Sequence, residues 1–479
     1  MKNTVKTRFA PSPTGDLHIG SLRTALFAYL FAKKNNGEFL LRIEDTDQTR
    51  YKEGSTETIL EGLKWAGIKY DNKDNVIFQS KRTEIYKKFA AQLLGQGHAY
   101  YCFCSAERLE KMREEQTARK VAPKYDRHCL NLSKEEIEEK LKAGEPHVIR
   151  MKIPEGEIKF TDLIRGEVKF NYHEIDDQIL MKSDGFPTYH LANVIDDHES
   201  EITHVIRAEE WLSSTPKHLI LYKAFGWDAP EFAHLSMILA PDKSKLSKRH
   251  GATSVLEFKK LGYLPEALIN YIALLGWNPG TEQEIFSLAE LEKEFSLDKV
   301  QKAGAIFDIN KLDWMNGEYI KKMDLDKLVD LCLPYFSASS DTGHLTLDTN
   351  FVNKVVALEQ PRLKKLSDLV ESTKYFFETP EYEPELLKWK KADLKDAKEK
   401  LNFLIEKLSE IPNEDWNKNN LEAFIKELIS IGKLETGNVL WPLRVALTGQ
   451  EKSPSPFEVA EILGKEESLK RIKTAIDKL

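Results

Sequence analysis

The chain opens on a strand, a helix and a second strand within residues 5–43, and that order most restricts the folds open to it. Residues 5–10 (VKTRFA) predict a strand, stopped by Pro11 and Pro13. Between Ser21 and Lys34 the apolar side chains Leu22, Leu26, Tyr29 and Leu30 recur at helical spacing. Asn35, Asn36 and Gly37, residues that tolerate left-handed backbone, end the helix. Phe39 to Ile43 then predict a second strand. Strands joined by a helical crossover pair in parallel, so the chain must build a parallel sheet. The expected class is α/β, with a Rossmann-type domain at the front.

Residues 85–189 interrupt that pattern. They hold three of the four cysteines and strand-like pieces such as His147–Met151, which predicts an inserted α+β domain. Signals of the first type resume at His204–Arg207, and beyond Gly251 the chain is mainly helical. From Leu325 onward almost no alternating pattern remains, so an all-α half is expected. Ser337–Asn350 predicts a loop, and Pro380 a boundary between two helical modules. The stretch Leu386–Leu408 predicts a helix carrying Lys388, Lys390, Lys391, Lys395, Lys398 and Lys400. The expected divisions are 1–84 with 190–253, then 85–189, 254–324, 325–380 and 381–479.

Charge and cysteine content narrow the function classes. The 70 Lys and Arg against 77 Asp and Glu give a net charge of −7. That excludes a uniformly basic protein, but a basic face can sit on an acidic body. Four cysteines in 479 residues argue against a disulfide scaffold. The apolar run Ala25–Ala32 is too short to span a bilayer, and no signal-like hydrophobic region leads the sequence. A cytoplasmic protein with no membrane partner is expected.

Two segments carry chemistry. Residues 8–21 (RFAPSPTGDLHIGS) join the first strand to the first helix, where α/β sheets bind ligands. A helix N-terminus there offers free N–H groups to a phosphate. Gly15 and Gly20 permit close backbone approach, and His18 can donate to a phosphoryl oxygen. Residues 241–251 (PDKSKLSKRHG) form a cationic loop in which Lys245 and Lys248 can face one polyphosphate. Either segment alone also reads as an ordinary loop; their combination is what points to nucleotide chemistry.

His18–Ser21 (HIGS) resembles the HIGH motif of class I aminoacyl-tRNA synthetases, and Lys245–Arg249 (KLSKR) resembles their KMSKS motif. The departures at Ser21, Leu246 and Arg249 are similar to those of the glutamyl/glutaminyl branch. RFAPSPTG at 8–15, RIEDTD at 42–47, FPTYHLAN at 186–193, VIRAEEW at 205–211 and PLRVALTG at 442–449 resemble the same branch, in the same order. The helical C-terminal half is similar to bacterial-type glutamyl-tRNA synthetases, whereas glutaminyl relatives end in β-barrels and queuosine-directed relatives lack an anticodon module. The resemblance implies that glutamate is activated with ATP and Mg²⁺ to glutamyl-adenylate and transferred to the 3′ end of tRNA-Glu. It also implies a monomer with no DNA partner. A relaxed enzyme that also charges tRNA-Gln, and a non-catalytic tRNA-binding relative, are the alternatives.

The same resemblance implies site roles. His18, Lys245 and Lys248 would be catalytic, and Gly20, Ser21 and Ser247 would join them around ATP. Arg8, Ala10, Ser12, Glu44, Tyr189, Asn193 and Arg207 would hold glutamate. Arginine forks suit carboxylates, so Arg8 and Arg207 are the γ-carboxylate candidates and would reject an amide. Each could instead be a buried ion pair, and Glu44, the candidate for the ammonium group, a salt bridge to Arg42 or Arg50. Segment 85–189 would bind the acceptor end, 254–324 the stem, and the two helical modules the anticodon.

Cys102, Cys104 and Cys129 with Tyr125 resemble the zinc site of some members, with His128 as an alternative fourth ligand and free buried thiols as the alternative reading. Cys332, between Leu331 and Leu333, reads as core. Arg362 falls near the position where members that discriminate between tRNAs carry an anticodon-reading arginine; its neighbour Gln360 matches relaxed members. Trp389, Trp416 and Trp441 are core or base-stacking residues.

Overall fold

The computed structural model describes residues 4–47, 49–339 and 348–479, with the backbone alone at 248 and 337–339. The opening unit forms as its sequence predicts. Strand β1 (Lys6–Phe9) runs into helix α1 (Ile19–Lys34) and then β2 (Glu38–Ile43). The strands pair in parallel, Lys6 opposite Glu38 through Phe9 opposite Leu41. Helix α1 starts two residues earlier than its apolar spacing suggests, because His18 caps it. The turn back to the sheet requires Gly37: a Cβ there would lie 2.1 Å from the Val5 carbonyl oxygen.

Strand β3 (Ile77–Phe78) adds in parallel to β2. Residues 85–189 contribute β4 (Ala99–Cys102), β5 (Val148–Met151), β6 (Glu157–Asp162), β7 (Gly166–Asn171) and β8 (Ile179–Met181). Of these, β4, β5 and β8 make a separate antiparallel sheet. The β6–β7 hairpin does something the sequence pattern does not announce. It joins β9 (His204–Ala208) and β10 (Glu231–Leu235) in a four-stranded sheet ordered β7-β6-β10-β9. Strand β6 meets β10 in parallel at Asp162 opposite Phe232. Hydrogen bonds between Lys6 and Thr203 tie the β9 side to β1. The C-terminal ends of β1 and β9 therefore come together. Beyond them, β11 (Ile238–Leu239) pairs with β12 (Ala305–Ile306).

The chain divides into two compact units. One runs to Lys260 and takes in Pro265–Ile309; the other comprises Leu261–Leu264 and Asn310–Leu479. The second has only helices among its described residues. Its core is built from helical repeats: Leu401, Leu404 and Leu408, then Leu421, Ile425 and Ile429, then Val439, Leu443 and Leu447. Tyr375 and Phe376, on the N-terminal side of Pro380, belong to the same core.

The expected helix at 386–408 starts only at Leu394. Lys390 takes a left-handed conformation, φ +48°, and the Asp393 carboxylate accepts from Asp396 N at 2.8 Å, which starts the helix afresh. Lys388, Lys390 and Lys391 therefore precede it. The tryptophans serve packing. Trp389 and Trp441 have ring centroids 4.8 Å apart, and a Cβ at Gly437 would meet the Trp389 indole nitrogen at 2.1 Å. Trp441 and Trp416 donate to the carbonyls of Leu386 and Ala460, both at 2.8 Å. Cys332 is fully buried. Helices Leu325–Ser339 and Thr349–Glu359 run three and two residues into the loop predicted at 337–350, whose residues 340–347 lie outside the described ones. No described helix is long and apolar enough to cross a membrane.

Candidate active site

A cleft of about 570 Å³ opens at the C-terminal ends of β1 and β9. Both chemistry-bearing segments reach it. The straps between them are backbone hydrogen bonds: Ile19 N to Thr253 O and Val255 N to Leu17 O, each 2.9 Å. The chain just after the KLSKR loop is thus sewn to the start of α1.

At that start, the His18 ring caps the helix, its Nδ1 accepting from Gly20 N at 3.0 Å. An acceptor Nδ1 puts the proton of the neutral ring on Nε2. Gly20 leaves the ring room, since a Cβ there would stand 3.3 Å from His18 Nδ1. At Gly15 a Cβ would meet nothing, so space rather than contact surrounds it. Gly20 and Ser21 line the cleft beside His18.

Lys245 also lines the cleft, held by an antiparallel bridge to Leu239. The loop is pinned there by Leu246, which is buried and donates its N–H to Ile238 O at 3.2 Å. The Lys245 ammonium is exposed and meets Glu210, itself a cleft residue, at 2.9 Å. Ser247 points to His250, Oγ to Nδ1 3.2 Å, and is not on the cleft wall. The side chain of Lys248 lies outside the described residues.

The deep end is polar. Arg8, Glu44 and Arg207 are buried, Ala10 and Tyr189 half-buried and Ser12 exposed, and all six line the cleft. Arg8 donates from Nε and Nη2 to the two oxygens of Asp197, at 3.0 and 3.2 Å, and from Nη2 to Asn193 Oδ1 at 3.2 Å. Among the described residues its Nη1 edge has no acceptor. Asn193 is not a wall residue: its Oδ1 also accepts from Arg42 at 2.9 Å, so it braces two arginines from behind. Glu44 does make the Arg42 ion pair, at 3.1 Å, while keeping a face on the cleft. Burial pushes the Glu44 carboxyl up, against the pull of Arg42 and Arg8.

Arg207 differs. Among the described residues it has no carboxylate within ion-pair distance. Its Nε donates to His234 Nε2 (3.0 Å), and its Nη1 to the Tyr189 hydroxyl (3.0 Å) and His218 Nδ1 (3.2 Å). Its Nη2 donates to Trp211 O (3.3 Å) and Thr215 Oγ1 (2.8 Å). All five N–H groups are used, yet the charge is unpaired; burial holds its pKa below the ordinary arginine value. Of these two arginines, only Arg8 keeps a guanidinium edge, Nη1, without an acceptor among the described residues; Arg207 and Tyr189 line the same cleft.

Comparison with known proteins agrees with this geometry. Residues 4–314 match the family model described as tRNA synthetases class I (E and Q), catalytic domain, and residues 327–476 match an anticodon binding domain. A "Glutamate--tRNA ligase 2" of Thermoanaerobacter pseudethanolicus is 47% identical, covering 99% of this chain and 98% of that protein. The chain belongs to the glutamate–tRNA ligases, a branch of the class I aminoacyl-tRNA synthetases. A glutamate–tRNA ligase of Clostridium tetani is 48% identical over 100% of this chain and 98% of that one. The crystal structure of a glutamate tRNA ligase from Elizabethkingia meningosepticum, in complex with its amino acid, superposes with a TM-score of 0.90 at 39% identity, covering 99% of each chain.

Several wall and bracing residues of this family member escape a motif reading. Asp197 is one, although a helical signal is available: Tyr189, Asn193 and Asp197 recur every four residues on the helix Tyr189–Glu199. Trp211 closes the VIRAEEW string, which assigns it no role; its ring lies tilted against Tyr189 with centroids 4.2 Å apart. Burial pushes the Asp197 carboxyl up, but Arg42 and Arg8 together outweigh it and hold it below the usual range.

The cysteines converge as a cluster. The sulfurs of Cys102, Cys104 and Cys129 lie within 4.8 Å of one another. The Tyr125 hydroxyl stands 3.4 Å from Cys102 Sγ and 3.3 Å from Cys104 Sγ, and is buried among them. His128 is exposed and its ring is not part of the cluster. In the helical unit, Gln360 donates to the carbonyls of Ile320 (2.9 Å) and Met323 (2.8 Å), which occupies its amide. The Arg362 side chain is 41% exposed and makes a single 3.3 Å contact with the buried Glu359.

Proposed function

We propose that the chain ligates L-glutamate to the 3′ end of tRNA-Glu through a glutamyl-adenylate, releasing AMP and pyrophosphate. The observation that carries this is the deep end of the cleft, where a half-braced Arg8, a carboxylate-free Arg207 and Tyr189 face one cavity. A γ-carboxylate supplies the anion that Arg207 lacks. Arg8 Nη1 can donate to it directly, while Arg207 acts through its charge and the Tyr189 hydroxyl. Because Arg207 already donates to that hydroxyl oxygen, the Tyr189 proton is released toward the ligand. A glutamine amide would turn N–H₂ donors toward these donors and be rejected. Glu44 takes the ammonium group, with Ala10 and Ser12 beside it.

Adenylation is substitution at the α-phosphate, which depends on positioning and charge stabilisation and uses no protein nucleophile. His18 Nε2–H donates to a phosphoryl oxygen, the N–H groups at Gly20 and Ser21 receive phosphate, and Lys245 and Lys248 neutralise the polyphosphate, with Ser247 supporting the loop. Mg²⁺ arriving with ATP supplies further charge neutralisation.

The cysteine cluster fits a structural Zn²⁺: three thiolates and the Tyr125 phenol offer four donors of the required kind. The metal would cross-link β4 to the 125–129 segment. Segment 85–189 would take the acceptor end, 254–324 the stem, and 325–380 with 381–479 the anticodon. Arg362, exposed and lightly held, suits an anticodon base edge, and the internal use of Gln360 supports that choice. The protein would act as a cytoplasmic monomer.

The test is glutamate-dependent ATP–pyrophosphate exchange with and without tRNA-Glu. Exchange that appears only with tRNA supports the full ligase reading. Exchange without tRNA moves the reading toward a queuosine-directed relative, and no exchange in either case overturns it.

A further inference from the structure

Arg207 is held by two chains of side chains that reach well behind the cleft. Arginine has donors only, so each partner must present an acceptor. His234 Nε2 accepts from Arg207 Nε, which places the neutral ring's proton on Nδ1. That nitrogen lies 2.5 Å from Asp162 Oδ2. The other Asp162 oxygen accepts the backbone N–H of Ile164 (3.0 Å), Arg165 (2.8 Å) and His234 (3.3 Å). Both side chains are buried, His234 at 0% and Asp162 at 1% exposure. Asp162 ends β6, in the hairpin that residues 85–189 send into the β9–β10 sheet. The position is therefore fixed by strand pairing rather than by a loop.

We propose that Asp162 is a positioning residue for glutamate recognition: it locks His234 as the Nε2 acceptor that aims Arg207, and through Arg207 the Tyr189 hydroxyl, at the substrate's γ-carboxylate. This rests on the reading of the cleft as the glutamate site. The arrangement has a physical logic. A carboxylate touching Arg207 directly would cancel the charge that the ligand needs. Set one imidazole away, Asp162 orients the guanidinium and leaves its charge uncancelled at the cleft. The proton states agree with this. Burial pushes the Asp162 carboxyl up, but His234 and the backbone donors outweigh it and keep it ionised; burial holds His234 neutral.

Asp162→Asn is the informative change. Its amide oxygen can still take the backbone N–H groups, which leaves its N–H₂ facing His234 Nδ1. The imidazole proton is then driven to Nε2, where it opposes the Arg207 N–H. In tRNA-Glu-supported pyrophosphate exchange, D162N is expected to raise the glutamate KM at least ~10-fold while the ATP KM stays within ~2-fold. Tyr189→Phe should also raise the glutamate KM. Adding His234→Gln to D162N should restore much of the loss, because a glutamine oxygen accepts from Arg207 with no tautomer to invert.

A D162N glutamate KM near wild type, with Y189F raised, overturns the proposal and leaves the cleft assignment standing. An unchanged Y189F overturns both. Equal rises for glutamate and ATP, or no recovery in the double variant, make Asp162 general scaffold and also overturn it. The His234 tautomer in the unaltered full-length protein, read by ¹⁵N NMR and assigned against H234Q, is a measurement independent of how D162N folds. An Nδ1-protonated ring supports the proposal, and an Nε2-protonated ring overturns it.

Discussion

Asp197 Oδ1 accepts from two arginines at once, Arg8 Nε at 3.0 Å and Arg42 Nη1 at 2.6 Å, with all three side chains buried. The shared carboxylate is what lets two guanidinium groups occupy that space. Removing it leaves buried charges uncompensated, which typically costs about 3–5 kcal/mol. Asp197→Ala is therefore expected to lower the stability of the first unit by that order in urea unfolding and to weaken glutamate binding. A loss under about 1 kcal/mol would mean that Asn193 and Glu44 suffice to hold the pair.

The loop lysines should behave in the opposite way. Lys245 and Glu210 are each at least half exposed, so their ion pair contributes at most about 1 kcal/mol. Lys245→Ala and Lys248→Ala should each lower the activation rate at least about tenfold, equivalent to ~1.4 kcal/mol of transition-state stabilisation, without a matching change in Tm. Pre-steady-state adenylate formation is the measurement, and unchanged rates would refute the assigned roles.

How much of this is legible in the sequence follows from what each residue needs. The β1–α1–β2 unit rests on local periodicity and turn residues, so it reads directly from Val5 to Ile43. The cleft wall at His18, Arg8 and Lys245 reads from motifs because those segments are contiguous. Asp162, His218 and His234 do not read at all. Each is an isolated polar residue within an otherwise ordinary strand or helix, and its partner is distant: 72 residues separate Asp162 from His234. Only strand order β6-β10-β9 brings them together, and a hairpin leaving one domain to finish another's sheet has no periodic signature. The fresh helix start at Asp393 is hidden for a different reason. Its capping signal sits inside a run of lysines that continues the helical pattern on both sides.

For the cysteine cluster, elemental analysis of protein purified without chelator is expected to find about one zinc per chain. Cys129→Ser should lose it, and a strong chelator should lower the Tm of the untouched protein. Tyr125→Phe keeps the three sulfurs and removes the phenol, so it should weaken rather than abolish metal binding. Protein with no zinc and an unchanged Tm in chelator would leave three buried thiols as the description.

Arg362 is expected to govern the choice between tRNA-Glu and tRNA-Gln. The wild-type chain should charge tRNA-Glu preferentially. Arg362→Ala should erode the preference by about 1–3 kcal/mol, the usual worth of a base-edge contact. Arg362→Lys keeps a cation near Glu359 but loses the fork, so it separates local stability from base reading. Equal charging of both tRNAs by wild type would sink the assignment.

Acid stability offers a test of His218, which is buried, and of its half-buried partner His190. Burial, with Lys217 and Arg207 nearby, drives His190 down to about 3, and His218 is held well below the ordinary value by burial and Arg207. Both are neutral in the folded chain. His218 Nδ1 accepts from Arg207, so its Nε2–H donates to His190 Nδ1, 3.1 Å away. In the unfolded chain they take up protons below about pH 6.5. Between that value and the folded pKa the unfolded state binds more protons, so stability rises with pH and falls as the solution is acidified. Each such group contributes up to about 1.4 kcal/mol per pH unit. His190→Asn offers His218 an amide oxygen and cannot titrate. Urea unfolding of the first unit between pH 7 and pH 5 should therefore weaken less steeply in H190N than in wild type, by about one proton's worth of slope. Identical slopes would show that His190 protonates in the folded state as readily as in the unfolded one.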